Sequence, residues 1–288
     1  MTRTTRRGLL AGLGVAGVAG VAALAVGRNR FDRRIERRVD DLQAAATAPS
    51  DGSVGRADFA DLPAPVSRYF DHVLEIGQPY ARTVEVAHRG EFRLGDADAP
   101  WRPFTSAQHY TVAPPGFVWD ATIDLFPLVP VRVVDAYVDG TGALQARALG
   151  AIPVADAESS PELDAGELMR YLAEAVWFPT ALLPAAGVEW EPRDDRSAVA
   201  TLEHDGTRVS LTFHFDDRDE IVRVTGERHR DVDGSYEPTR WVGRFENYRR
   251  RNGRSVPLDG EVGWDLPEGY LAYWRGRVAD VDHRTVAD

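Results

Sequence analysis

Beyond residue 82 the chain alternates apolar and polar residues in one short segment after another, and this alternation constrains the fold most. The clearest segments are residues 84–94, 117–125, 209–215 and 258–266. Side chains of a strand point alternately to opposite faces, so each segment predicts a strand with one buried and one solvated face. Pairs such as Asp139-Gly140 and Asn252-Gly253 stand between segments and favour hairpin turns.

These segments predict a mainly β (α+β) fold built on an antiparallel sheet of about eleven strands. The predicted strands are 82–94, 104–112, 117–126, 131–138, 143–149, 198–204, 207–215, 221–229, 240–249, 256–266 and 270–278. Glycines inside several of them favour bends and bulges, so the sheet is expected to be strongly curved, as in a half-barrel.

Two helical segments accompany the predicted sheet. Residues 61–74 carry an apolar stripe at helical spacing, with Asp61 as a possible cap. Residues 161–184 are more apolar, and Ser159 with Glu162 forms a possible capping box before them. Because so apolar a helix must be buried, we expect it to cover the concave face of the sheet.

The first 60 residues differ from the rest of the chain. Residues 8–27 form an uncharged apolar run, just long enough to span a bilayer, and residues 5–10 resemble a twin-arginine translocation signal. Residues 1–30 are therefore predicted to be a signal or membrane anchor, and residues 31–60 a juxtamembrane amphipathic helix and linker. Cleavage after 23–25 and retention as an anchor both remain open. We expect a membrane-anchored protein whose body, residues 61–288, lies outside the cytoplasm.

Charge divides the chain in the same way. Residues 1–38 carry a net charge of +7 and the remainder carries −18, and all 34 basic residues are arginines. The basic part could contact membrane lipids through residues 8–38, whereas the acidic body argues against nucleic-acid binding. An acidic surface without lysine is typical of halophilic proteins, and G+C-rich codon usage is the alternative explanation.

The sequence contains no recognisable catalytic motif. Its one formal match to a dinucleotide fingerprint, residues 12–17, lies inside the apolar run and is interpreted as small residues of an apolar helix. There are no cysteines, which excludes thiolate metal sites and cysteine nucleophiles. The seven histidines are scattered, so neither a metal site nor a cofactor is predicted. Catalytic residues stay unknown, although a hydrolase that uses carboxylates with His88 or His109 is one possibility.

Large aromatic residues provide a further candidate site. If they line a cavity between sheet and helices, they form a site for an apolar ligand. The alternative is a filled core. The predicted ligand-binding residues are Trp119, Tyr171, Trp177, Phe178, Phe213 and Trp264.

Four short stretches resemble a widespread uncharacterised prokaryotic family of conserved hypothetical proteins, above all its halophile members. They are residues 62–69 (LPAPVSRY), 101–104 (WRPF), 115–119 (PGFVW) and 170–184 (RYLAEAVWFPTALLP). The predicted architecture also resembles the half-barrel of periplasmic lipoprotein carriers, which hold acyl chains between sheet and helices. This second resemblance implies a membrane-tethered binding protein for an apolar or lipid-like ligand and favours a non-enzymatic role. The alternatives are the extracytoplasmic hydrolase and a non-catalytic structural envelope protein.

Overall fold

One antiparallel sheet of thirteen strands dominates the computed structural model, which describes residues 3–126 and 129–285. Side chains are described for residues 20–125 and 129–285. The helices are α1 (Arg3–Ala45), α2 (Ala64–Val73) and α3 (Pro161–Glu174). The strands are β1 (Thr83–Phe92), β2 (Arg102–Thr111), β3 (Gly116–Phe126), β4 (Val129–Val138), β5 (Thr141–Ala148), β6 (Ile152–Ala157), β7 (Glu189–Asp194), β8 (Ser197–His204), β9 (Thr207–Phe215), β10 (Ile221–Val232), β11 (Ser235–Arg251), β12 (Arg254–Leu266) and β13 (Gly269–Arg284). The predicted mainly β, antiparallel class is confirmed.

The order of the strands places the first and the last of them side by side in the middle of the sheet. The sheet runs β6-β5-β4-β3-β2-β1-β13-β12-β11-β10-β9-β8-β7. From β1 the chain moves outward hairpin by hairpin to β6, crosses to the opposite edge, and returns from β7 to β13. Thr83 at the start of β1 is paired with Arg284 at the end of β13.

The predicted count of eleven strands is wrong by two, and the two missing strands are the sheet edges. All eleven predicted strands are present, whereas β6 and β7 were not predicted. Both edge strands are largely exposed, so neither needs an alternating apolar face. Each also contains a proline, Pro153 or Pro192, which is tolerated at an edge and weakens a sequence-based strand prediction.

The sheet curls so far that strands near its two edges meet. Strands β4 and β8 stand nine positions apart in the sheet, yet Tyr137 Oη and His204 Nδ1 lie 3.1 Å apart. The segment between β6 and β7 packs inside this curve. It consists of α3 and short 3-10 turns, and its Trp177 contacts His88 of β1 and Trp274 of β13.

The helix boundaries follow local chemistry that differs slightly from the prediction. Ser160, not Ser159, caps α3, since its Oγ accepts a hydrogen bond from the Leu163 backbone N–H at 3.2 Å. The Ser159 hydroxyl instead donates to the Asp164 carboxylate. Helix α2 begins at Ala64 after Pro63 rather than at an Asp61 cap.

The apolar stripe of α1 packs against the outer face of the sheet. Phe31, Ile35 and Leu42 are buried there against side chains of β3 and β4. The segment predicted as a linker also contributes to the core, because Val54 and Phe59 are only 1% exposed. Within the part of the chain whose side chains are described, no helix is both long enough and apolar enough to cross a membrane. Most of the predicted membrane segment, residues 8–27, precedes residue 20, at which the described side chains begin.

Candidate functional site

A buried network of charged side chains lies between α3 and the inner face of the sheet. Arg170 is at its centre, and its Nε donates to Glu174 Oε1 at 2.9 Å while Nη1 donates to Asp135 Oδ2 at 2.5 Å. The guanidinium group also lies over the rings of Phe117 and Trp119, at 4.9 and 5.1 Å. Helix α3 and strands β3 and β4 therefore hold one cation among aromatic rings and carboxylates.

Strands β2 and β10 complete the network. Arg228 of β10 donates from Nη2 to Glu167 Oε1 at 2.8 Å. Gln108 Nε2 and Tyr110 Oη, both of β2, donate to Glu174 Oε2 at 2.7 and 3.0 Å. Each carboxylate of α3 in this network is thus tied to a strand of the curved sheet.

Carboxyl groups outnumber guanidinium groups in this network by three to two, and the pKa of Glu167 is strongly raised. It is 2% exposed, and its Oε2 has no hydrogen-bond partner among the described residues. Burial, with the nearby Asp135 charge, raises the pKa of Glu167 to about 8, although Arg228 and Arg170 oppose the shift. At neutral pH Glu167 is therefore largely protonated, which balances the charge of the network.

Beside the ion network, four neutral side chains form what we call the interior donor cluster: His88, Ser106, Trp119 and Trp177. His88 and Ser106 are direct partners across β1 and β2 and share a face. The ring centroid of Trp177 lies 4.6 Å from that of His88. Trp119 sits on the same face of neighbouring β3, beneath Arg170.

The polar atoms of the donor cluster have no hydrogen-bond partner among the described residues. These atoms are both ring nitrogens of His88, Oγ of Ser106, and Nε1 of Trp119 and Trp177. All four residues are more than nine-tenths buried. Burial, with the nearby Arg170 charge, lowers the pKa of His88 to about 3, so its imidazole is neutral. The cluster therefore offers two indole N–H groups, one imidazole N–H and one hydroxyl to an acceptor.

Half-buried aromatic residues lie farther along the same face, and we call Phe92, Trp264 and Tyr273 the aromatic rim. Trp264 stacks on Tyr273 with centroids 5.9 Å apart, and Phe92 lies 6.1 Å from Tyr273 on the other side. Phe92 is four residues beyond His88 on β1, about 13 Å along the strand. Tyr273 is adjacent in sequence to Trp274, which contacts His88, so the rim adjoins the donor cluster.

The six predicted ligand-binding residues lie in three environments: the donor cluster, the aromatic rim and the packed core. Trp119 and Trp177 belong to the donor cluster, and Trp264 belongs to the rim. Tyr171, Phe178 and Phe213 lie in the packed core, where the Tyr171 hydroxyl donates to the Thr111 carbonyl at 3.0 Å. Phe178 packs between Tyr110 and Tyr171, and Phe213 against Trp190. Three of the six therefore lie in the donor cluster or the rim, and the other three lie in the packed core.

The two histidines suggested for a hydrolase lie on opposite faces of the sheet. His88 faces α3, among indole rings and Arg170. His109 is on the outer face, with Nδ1 3.7 Å from Glu85 Oε2. Glu167, Glu174 and Asp135 are each paired with an arginine, and neither ring nitrogen of His88 has a hydrogen-bond partner among the described residues.

The charged residues of α3 are not among the site residues predicted from the sequence. Glu167, Arg170 and Glu174 recur at three- and four-residue spacing, which places them on one helix face. Helix α3 is too apolar to lie on the surface, so charged residues at this spacing were the signal in the sequence that could have indicated a buried ion network. In the part of the chain that the structure describes, no group of three or more histidine or acidic side chains could hold a metal ion.

Comparison with known proteins gives a family and two distant structural likenesses. The model of a family of unknown function, DUF6544, matches residues 52–276. A LolA superfamily protein from Nitrosomonas europaea is 10% identical, with a TM-score of 0.35 over 77% of this chain and 93% of the other. A beta-barrel-like protein of the domain of unknown function DUF1849 from Brucella abortus is 10% identical, with a TM-score of 0.22 over 72% and 99%. No curated protein matches the chain.

Proposed function

This chain belongs to DUF6544, a family of unknown function, and we propose that it binds an apolar, lipid-like ligand between α3 and the curved sheet. The ligand carries a hydrogen-bond acceptor, such as a carbonyl or ester oxygen, that meets the interior donor cluster. The observation that carries this proposal is the set of buried donors, on the inner face of β1–β3 and on Trp177, that have no hydrogen-bond partner among the described residues.

Unpartnered donors are unfavourable in a protein interior. Leaving one buried donor unsatisfied costs roughly 1–3 kcal/mol, and the cluster holds several such atoms. A ligand oxygen that accepts from Trp119, Trp177 or His88 would offset part of that cost. Because the donors are neutral and surrounded by aromatic rings, they suit a neutral acceptor on an apolar molecule better than a fully ionised group.

The aromatic rim supplies the apolar contact in this proposal. Phe92, Trp264 and Tyr273 are only partly buried and pack against the core, so their free faces can take up a hydrocarbon chain. Trp119, Trp177 and Trp264 are the contact residues that we retain. Tyr171, Phe178 and Phe213 form the packed wall behind them.

The membrane tether belongs to the same proposal. In this proposal residues 8–27 anchor the chain and the acidic body lies outside the cytoplasm. The twin-arginine-like start supports this location, and the excess of carboxylates is in keeping with saline surroundings. A reporter enzyme fused to the C-terminus would test the orientation. Activity confined to the cytoplasm would refute it.

Ligand binding is tested by native mass spectrometry and organic extraction of the full chain purified from its own membranes. We expect a co-purifying apolar species in the unaltered protein and a marked loss of it in Trp119→Phe and His88→Phe, which remove donors and keep aromatic rings. Trp190→Phe is the matched control, because its Nε1 already donates to the Leu182 carbonyl at 2.8 Å.

The stability of these variants separates ligand binding from packing. Trp119→Phe and Trp190→Phe remove the same part of an indole ring, so in the ligand-free protein Trp119→Phe should lower stability less than Trp190→Phe, which also loses a hydrogen bond. A chain that carries no apolar species, or one whose occupancy is the same in all variants, would contradict the proposal.

A further inference from the structure

The direction of α1 on the sheet is fixed by its contacts. The helix runs along the outer face of β3 and β4, with Asp32 paired to Arg132 near one end of these strands and Leu42 beside Gly116 at the other. Because Phe31, Ile35 and Leu42 are buried in this contact, the helix cannot swing away from the sheet without exposing them.

The helix passes the edge of the sheet at a defined point. A Cβ at Gly27 would lie 3.0 Å from Ala151 Cβ, and one at Gly150 would lie 3.3 Å from Arg28 Cγ. The β5–β6 turn therefore touches α1 at residues 27 and 28. The uncharged run, residues 8–27, ends at this same point. The part of α1 that precedes residue 27 therefore extends beyond the β5–β6 turn.

Exposed apolar side chains are concentrated at this place. Eight large hydrophobic side chains are exposed among those that the structure describes, and five of them lie on this part of α1, on the β5–β6 turn, or on β6. These five are Val21, Val26, Leu149, Ile152 and Val154. A patch of exposed apolar side chains indicates a contact surface, whereas apolar side chains that are exposed singly are ordinary on any protein.

Basic side chains follow directly on the helix. Arg28, Arg30, Arg33 and Arg34 are exposed and lie within two turns of the β5–β6 turn. An apolar patch bordered by arginines matches the layers of an anionic membrane, in which acyl chains lie below phosphate groups.

We propose that the β5–β6 turn and β6 rest on the surface of an anionic phospholipid bilayer, with Leu149, Ile152 and Val154 in its interfacial layer. This inference rests on the proposed tether through residues 8–27 and adds the orientation of the body to it. The edge strand β6 faces the lipid, and the arginines from Arg28 onward lie at the level of the phosphates.

Single-cysteine labelling tests this orientation, because the natural chain has no cysteine to remove. The full-length variants Ile152→Cys and Val154→Cys are labelled with an environment-sensitive fluorophore and reconstituted into phosphatidylcholine vesicles with and without phosphatidylglycerol. Val21→Cys reports the tether. Ile76→Cys is the matched control, since Ile76 is 55% exposed, against 49% for Ile152, and lies on the distant loop before β1.

We expect the labels at positions 152 and 154 to brighten severalfold in vesicles containing phosphatidylglycerol and to be quenched by lipids spin-labelled near the headgroup. The label at position 76 should stay in water. If the label at position 21 enters the bilayer while those at 152 and 154 remain in water, the inference is wrong and the tether stands. If the label at position 21 also remains in water, the tether fails and the inference fails with it.

Contact between two copies of the chain is checked with the same variant before labelling. Disulfide-linked dimers of the Ile152→Cys variant that form in proportion to protein density would assign β6 to a second copy of the chain. That result would overturn the bilayer contact.

Discussion

Replacing Glu167 by glutamine should change how the stability of the protein depends on pH. The pKa of Glu167 is raised from an ordinary value of 4.5 to about 8 in the folded chain. Between these two values the folded protein holds a proton that the unfolded chain has released. The free energy of unfolding therefore falls as pH rises through this interval, and the contribution is constant below and above it.

The magnitude follows from the size of the interval. Each pH unit within it changes the free energy of unfolding by about 1.4 kcal/mol, so the contribution of Glu167 falls by roughly 3 kcal/mol between pH 5 and pH 7. Glu167→Gln keeps an oxygen that can accept from Arg228 but has no proton to lose. The stability of Glu167→Gln relative to the unaltered protein should therefore rise by that amount over the same range.

Urea unfolding of the full chain in detergent, at pH steps from 5 to 8, measures this difference directly. Taking the difference between the two proteins removes the contributions of the other acidic groups. Glu191→Gln, which alters an exposed carboxylate on edge strand β7, is the matched control and should give a small difference throughout. A flat difference for Glu167→Gln would mean that Arg170 and Arg228 keep Glu167 ionised, and the reasoning about desolvation would be refuted.

Three further tests, which use four substitutions, probe other parts of the structure. Arg170→Met leaves two buried carboxylates without their cation and should lower the free energy of unfolding by about 3–5 kcal/mol, measured by urea unfolding; a loss near zero would contradict the described network. Leu42→Ala should cost about 2–4 kcal/mol and increase hydrogen exchange across residues 31–45, whereas unchanged exchange there would show that α1 is not held by this contact. Ser160→Ala should lower stability by about 1 kcal/mol through loss of the α3 cap, and Ser159→Ala should have a smaller effect; the reverse order would restore Ser159 as the cap.

Much of the fold was predictable because it rests on local patterns. Each strand with one buried face alternates, as β1 and β9 do, and each was located to within a few residues, with two exceptions. Strands β10 and β11 run on into an exposed hairpin arm, and β13 continues beside β1 as far as Arg284. The edge strands β6 and β7 carry no such pattern because neither face is buried. The order of strands also has no local signal, since the pairing of β1 with β13 joins residues about two hundred positions apart.

The candidate site was only half predictable, for a similar reason. An aromatic residue near a strand or helix break, such as Trp119 or Trp177, is conspicuous in the sequence. The partners of Arg170 and Arg228 are not, because Arg170 meets Asp135 across 35 positions and Arg228 meets Glu167 across 61. Such pairs exist only once the sheet has curled around α3. Their charges look like ordinary surface residues until the topology is known.

The junction of β1 and β13 at the centre of the sheet determines when this protein can finish folding. Hairpins on either side of the junction close between neighbours in sequence and can form early, while the chain is still being made. The centre has to wait for the last sixteen residues of the sheet, β13. A chain that stops before β13 would have two partial sheets with unpaired inner edges, β1 and β12, rather than one sheet with two short, exposed outer edges. A protein built in this way keeps the two inner edges of its sheet unpaired until its final strand has been synthesised.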